Sequence, residues 1–207
     1  MKRLPVVLAT GVAALSLAAV GCGSSSSSSS SASAGAAGSS SGSLAPPTKE
    51  TTPAGDIPDT QVFVPYAPKG AGFSAKVPEG WSRTSSGGAT MFSDKLNSVR
   101  MERSPGEKSA TAASVRRAVL PQLARTVPGY RAGKVTTVTR TAGPAVLVTY
   151  QTTSKPDDVT GKTHRNAVER YEFAKGGKVA VLTLTGPVGA DNVDPWKIVT
   201  DSFKWSR

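Results

Sequence analysis

The sequence predicts an α+β domain in which helices cover a central antiparallel sheet, preceded by a disordered tether. Three observations carry that prediction. All 12 Phe, Tyr and Trp residues fall in 63–207 of the 207-residue chain, so the earlier part cannot bury enough apolar surface to offset its ordering entropy. Within 63–207, short runs of alternating apolar and polar residues recur between Gly, Pro, Asn and Asp, the pattern of strands joined by tight turns. Two stretches break that period and adopt helical spacing instead. The 145 residues of this part have the ordinary size of one domain.

Each element has its own local signal. Phe73–Val77 alternates and stops at Pro78-Glu79-Gly80, a turn, before Trp81. Ala89–Phe92 and Asn97–Glu102 read as a strand pair joined around Asp94-Lys95. Residues 110–126 place Ala112, Val115, Val119 and Leu123 on one helical face, and Pro121 is expected to kink or end that helix. Three longer strands follow, Lys134–Arg140, Ala145–Thr153 and Ala167–Lys175, and Lys178–Thr185 closes the last hairpin across Gly176-Gly177. Ser154–Gly161 is polar enough to be an exposed loop. Asp194-Pro195 predicts a helix cap with Pro at the first helical position, and Trp196, Val199 and Phe203 then share a face.

The first 62 residues divide in two. Lys2 and Arg3 precede an apolar stretch from Leu4 to Val20, a secretory signal over residues 1–21. Leu17-Ala18-Ala19-Val20-Gly21-Cys22 resembles the lipobox of bacterial lipoproteins, with Ala19 where Leu is usual. The resemblance implies a diacylglycerol on the Cys22 thiol and cleavage just before it. At about 0.8 kcal/mol per buried CH₂, acyl chains would hold the protein on the bilayer without a transmembrane helix. The expected location is the outer face of the cytoplasmic membrane. Residues 22–62 continue with eight serines, Ser24–Ser31, and a Pro- and Thr-rich stretch, a flexible linker with a mean reach of about 30–40 Å.

Charge and rare residues bound the chemistry. Residues 63–207 hold 22 Lys and Arg against 11 Asp and Glu, which accounts for the whole net charge of +11. Such a field favours anionic partners, here anionic lipid or a cell-wall polymer. Nucleic acid is disfavoured, since an exported chain rarely meets it and no aromatic-basic RNA-binding motif occurs. With Cys22 consumed, the domain has no thiol for catalysis, disulfides or metal ligation.

Phe73–Trp81, with its strand followed by Pro, x, Gly, Trp, and Asp194-Pro195-Trp196 with Ser202-Phe203 together resemble the opening and closing elements of PsbP-like domains. The similarity extends to actinobacterial lipoproteins of the Lpq type. It implies an α/β/α sandwich over 63–207 with a non-enzymatic accessory or binding role. The photosynthetic members work beside a manganese cluster, but no metal motif matches here, so neither metal nor cofactor is expected.

The residues themselves agree with a binding role. His164 is the sole histidine and no G-x-S-x-G occurs, so a hydrolase would lack a recognisable nucleophile and base. Gly161-Lys162-Thr163 lacks the first glycine of a phosphate loop, Pro156 standing in its place. Asp157-Asp158 reads as a solvated loop tip. Glu169 and Glu172, three apart in a strand, fall on opposite faces and form no dyad. The candidate cleft lies between the sheet and the last helix, lined by Trp81, Trp196 and Phe203, with Trp205 close in sequence. Its expected occupant is an envelope protein or a small ligand.

Overall fold

Strand patterns dominate the domain because both faces of its sheet are covered. The computed structural model describes residues 53–206; the expected signal segment, Cys22 and most of the expected linker lie outside them. A seven-stranded antiparallel sheet has the order β3-β4-β5-β9-β8-β7-β6, formed by β3 (Ser82–Ser86), β4 (Ala89–Asp94), β5 (Asn97–Arg103), β6 (Arg131–Arg140), β7 (Gly143–Thr153), β8 (Arg165–Lys175) and β9 (Lys178–Pro187). A smaller sheet has the order β1-β2-β10, from β1 (Phe63–Tyr66), β2 (Phe73–Pro78) and β10 (Lys204–Trp205). This small sheet and α3 (Val193–Asp201) pack on one face of the large sheet. On the other face lie α1 (Ala112–Ser114), a π-helical turn (Val115–Val119) and α2 (Leu120–Thr126).

The alternation within each strand decides which side chains enter which layer. Tyr171 and Phe173 of β8, with Leu182 and Leu184 of β9, face α3 and the small sheet. Val146, Val148 and Val168 face Val115 and Val119 of the helical layer. The Gly176-Gly177 hairpin forms as expected, both residues at positive φ (55° and 70°), which suits the twist of the flanking strands.

β3 is missing from the sequence reading because all five of its residues are polar and exposed, so no apolar alternation marks it. Its partner β4 is reached through Gly87-Gly88, again at positive φ; that pair is the signal that could have found it.

Pro121 does not end its helix. The helical run continues to Thr126, because Pro121 stands near the start of α2 behind the π-helical turn, where Leu120 N–H bonds to Val115 O. A fifth-residue bond widens the turn where proline lacks its own N–H and would crowd the carbonyl four residues back. The run begins with a capping box between Thr111 and Ser114, whose backbone N–H groups donate to each other's hydroxyls at 2.9 and 3.0 Å.

Two boundaries also move. The last helix starts at Val193 and its cap position is Asn192, not Asp194; Asp194 sits in the first turn, where its charge complements the helix dipole. Residues 55–62, assigned to the linker by composition, include a segment packed on the domain. Ile57 is buried, its N–H donates to Asn192 Oδ1 at 2.9 Å, and Gly55 O accepts from the amides of Asn97 (2.8 Å) and Asn192 (3.0 Å). The Asp191 N–H also donates to Asp56 Oδ1 at 2.8 Å, so one apolar residue and a set of hydrogen bonds hold a stretch that lacks aromatics.

Candidate functional site

The three side chains expected to line one cleft are not brought together in one. Phe203 is fully buried, stacked on Phe173 at 4.0 Å between ring centroids and meeting Trp205 edge-on at 5.3 Å. No ring face is left for a ligand. Trp81 is half-buried and packs against the same core. Trp196 is 6 % exposed and borders a small hollow at the start of α3. Trp205 belongs to β10 and packs on Phe73 and Phe203.

The Trp196 hollow leads to the better site. Because α3 covers only part of its face of the sheet, Ala167 is left exposed near the start of β8. Two hollows share Ala167 and Glu169: one of about 90 Å³ against Trp196 and Pro187, and one of about 410 Å³ running past Thr149 and Gln151 to Arg131. The floor is low because Gly186 and Gly133 carry no side chain. A Cβ on Gly133 would stand 2.4 Å from Thr149 O, so glycine permits the close approach at the β6 register shift between Ala132 and Val135.

Glu169 is held in that groove by a polar chain from α3. Tyr171 donates its phenol hydrogen to Glu169 Oε2 at 2.7 Å, and Arg140 Nη2 donates to the phenol oxygen at 2.9 Å. Arg140 Nε donates to Thr200 Oγ1 at 2.9 Å and lies 3.7 Å from Asp201 Oδ1. Burial, reinforced by the Glu169 carboxylate, pushes the Tyr171 phenol up to about 12. It therefore stays a donor at any physiological pH, and the groove keeps a carboxylate in a set orientation.

The opposite face carries a second polar cluster that the sequence reading missed. Arg170 Nε donates to Glu172 Oε1 at 2.8 Å, Arg170 lies 3.8 Å from Glu102, and Glu102 accepts from Arg100 at 2.7 Å. These groups sit beside a pocket of about 300 Å³ beneath α2, lined by Glu102, Glu107 and Arg170 with Val119 and Leu123. Glu172 is 1 % exposed, and its Oε2 and that of Glu107 have no hydrogen-bond partner among the described residues. The signal was present in the β8 alternation: Arg170 and Glu172 share parity with Val168, an inward position. Glu169 and Glu172 do stand on opposite faces, as their spacing requires.

Burial pushes the Glu172 carboxyl above its ordinary value of 4.5; Arg170 opposes the shift and Glu107 adds to it. A carboxyl raised in the folded state contributes stability that is full below its unfolded pKa and is lost as pH rises through the folded one. Glu172→Gln keeps the shape without the charge. Its stability relative to wild type is expected to improve as pH rises from about 4 to about 8, read as the difference in urea midpoints. Parallel pH curves for the two proteins overturn this.

The other sequence candidates are structural. Asp157 Oδ1 accepts from the N–H groups of Val159 (3.1 Å) and Thr160 (2.7 Å) and from the Thr160 hydroxyl (2.8 Å), an exposed turn that holds its carboxyl below the usual range. His164 lies just before β8 and pairs through its backbone with Ser154. Among the described residues, no group of three or more His, Cys, Asp or Glu is placed to hold a metal ion.

A seven-stranded antiparallel sheet with α3 and a small sheet on one face and a helical layer on the other makes an α+β sandwich. It is similar to the solution structure of PsbP (CyanoP) from Synechocystis, at 15% identity over 74% of this chain and 99% of that one, with a TM-score of 0.48. LpqN of Mycobacterium tuberculosis, a protein involved in cell envelope biogenesis, aligns at 13% identity over 72% of this chain and 88% of its own, with a TM-score of 0.38. The Ran-binding protein Mog1p of Saccharomyces cerevisiae aligns at 9% identity over 70% and 96%, with a TM-score of 0.46. At these identities the likeness is one of fold. No protein-family model and no curated protein matches the chain.

Proposed function

We propose that this chain is an exported lipoprotein, anchored through Cys22 to the outer face of the cytoplasmic membrane, whose domain is a non-enzymatic accessory module. The occupant, a segment of an envelope protein or a small ligand, lies in the groove beside α3. The observation that carries the binding reading is the pair of joined hollows over Ala167 and Glu169, open to solvent and furnished with one oriented carboxylate. Concave surface with a few fixed polar groups is what recognition of a ligand needs. The two β8 carboxylates serve different faces, one bonded to a phenol and the other to a guanidinium, an arrangement of support more than of acid-base relay. The anchor reading rests on Leu17–Cys22 and on Cys22 being the chain's one cysteine.

The test uses the full chain as bait in solubilised envelope, washed at low salt and at about 0.5 M salt, where exposed charge attraction is screened within a few Å. A discrete partner retained by wild type in both washes and lost by Ala167→Trp is expected. Ala167 is exposed, so tryptophan fills the groove at little cost to the fold. Equal capture by both proteins overturns the groove. Separately, Cys22→Ser is expected to leave an unlipidated precursor whose mass lacks the acyl increment, and a free thiol at residue 22 in wild type overturns the anchor.

A further inference from the structure

The net positive charge of the domain is concentrated in one stretch of the chain. Between Lys108 and Pro156 the chain carries eight Lys and Arg and no Asp or Glu. That stretch builds the helical layer, the edge strand β6 and its neighbour β7. Arg116, Arg117, Arg125, Arg131 and Lys134 are all exposed, and none of them forms an ion pair among the described residues. Arg116 Nη2 donates to Val135 O at 2.8 Å, which ties the helical layer to the β6 edge, where Arg131 also lines the end of the groove. Carboxylates border these cations at two places: Glu102 and Glu107 line the pocket beneath α2 and Glu169 shares the groove with Arg131, while Glu172 is buried. None of the large apolar residues exposed on the domain lies on this stretch except at its margin: they are Val62, Val159, Val188, Val193 and Ile198.

Uncompensated like charge at this density repels itself and is relieved by an anionic surface. We propose that the face formed by α1, α2 and β6 docks the domain on an anionic lipid bilayer, with the guanidinium and ammonium groups on lipid phosphates. The choice of the bilayer as the source of phosphate rests on the Cys22 anchor, because a tethered domain meets its own membrane at high effective concentration. Since the exposed valines and isoleucine lie elsewhere, the attachment is coulombic and reversible, without insertion. The groove beside α3 is on the other face of the sheet from the helical layer.

The test takes the full chain carrying Cys22→Ser, so that no acyl group brings it to lipid, and measures sedimentation with phosphatidylglycerol-containing vesicles and with phosphatidylcholine vesicles. The phosphatidylcholine arm reads any contribution of residues 1–21. Each cation near an anionic surface contributes a factor of about 5, so Arg117→Gln, Arg125→Gln and Lys134→Gln together are expected to weaken partitioning about 100-fold. A control with Lys69→Gln, Lys76→Gln and Lys204→Gln removes the same charge from the β1-β2-β10 side, where these lysines are exposed, and is expected to change partitioning by less than about tenfold. Equal losses in the two triple variants overturn the proposal, as does equal binding to both kinds of vesicle. Capture by lipid-free wall polymer without capture by vesicles also overturns it. A free thiol at residue 22 would remove the anchor but leave this measurement intact.

Discussion

Phe203→Ala is expected to cost the domain about 3–5 kcal/mol. The ring is wholly buried and meets three others: Phe173 stacked at 4.0 Å, Trp205 edge-on at 5.3 Å, and Phe73 tilted at 5.4 Å. Truncation removes the transfer energy of a phenyl group and leaves a cavity where the small sheet, α3 and β8 converge. None of these partners can collapse far, because β2 is paired on both edges by β1 and β10. The measurement is a urea titration followed by tryptophan fluorescence, which Trp205 and Trp196 report from the affected core. Under conditions where the variant remains folded, its capture of a partner should equal that of wild type. Weakened capture by folded Phe203→Ala would return this residue to a binding role.

Asn192→Ala is the second large expected loss, about 3 kcal/mol, from two buried groups left without partners at roughly 1–3 kcal/mol each. Asn192 Oδ1 accepts from Ile57 N–H, while Nδ2 donates to Gly55 O and to Asn97 Oδ1 at 3.1 Å. Truncation leaves the Ile57 amide and Asn97 Oδ1 unsatisfied, whereas Gly55 O keeps its bond from Asn97 Nδ2 at 2.8 Å. The cluster is tight enough to need Gly186, where a Cβ would stand 2.8 Å from both asparagine side chains. Hydrogen exchange at the Ile57 amide provides a second readout. It should rise toward the rate of an exposed amide in the variant while exchange in β8 and β9 changes only with global stability. Unchanged protection at Ile57 would show that the segment 55–57 is held by burial alone.

These two residues mark where reading the sequence worked and where it stopped. Phe203 is apolar and in phase with Trp196 and Val199, and it is buried as that phase predicts, although α3 ends at Asp201 and Phe203 lies beyond the helix. Periodicity carries no information on how closely the opposing layer approaches, so a core ring and a cleft ring look alike. Asn192 offered no signal of its own: its partners lie 95 to 137 positions away, and a side chain spent on distant backbone resembles an ordinary cap. The same limit hid the Arg170–Glu172 pair, because hydropathy patterns treat charged residues as outward-facing until a partner across the sheet is known.

Local chemistry sufficed for the α+β class, most of the large-sheet strands, the Gly176-Gly177 turn and the excess of positive charge, since each depends on neighbours within a few residues. The lipobox proposed at Cys22 is local in the same sense, and its test is the mass measurement. The packing of Ile57, the burial of Phe203 and the groove over Ala167 arise from contacts between segments far apart in the chain. Their free energies belong to pairs and layers, and no single stretch of sequence contains both members.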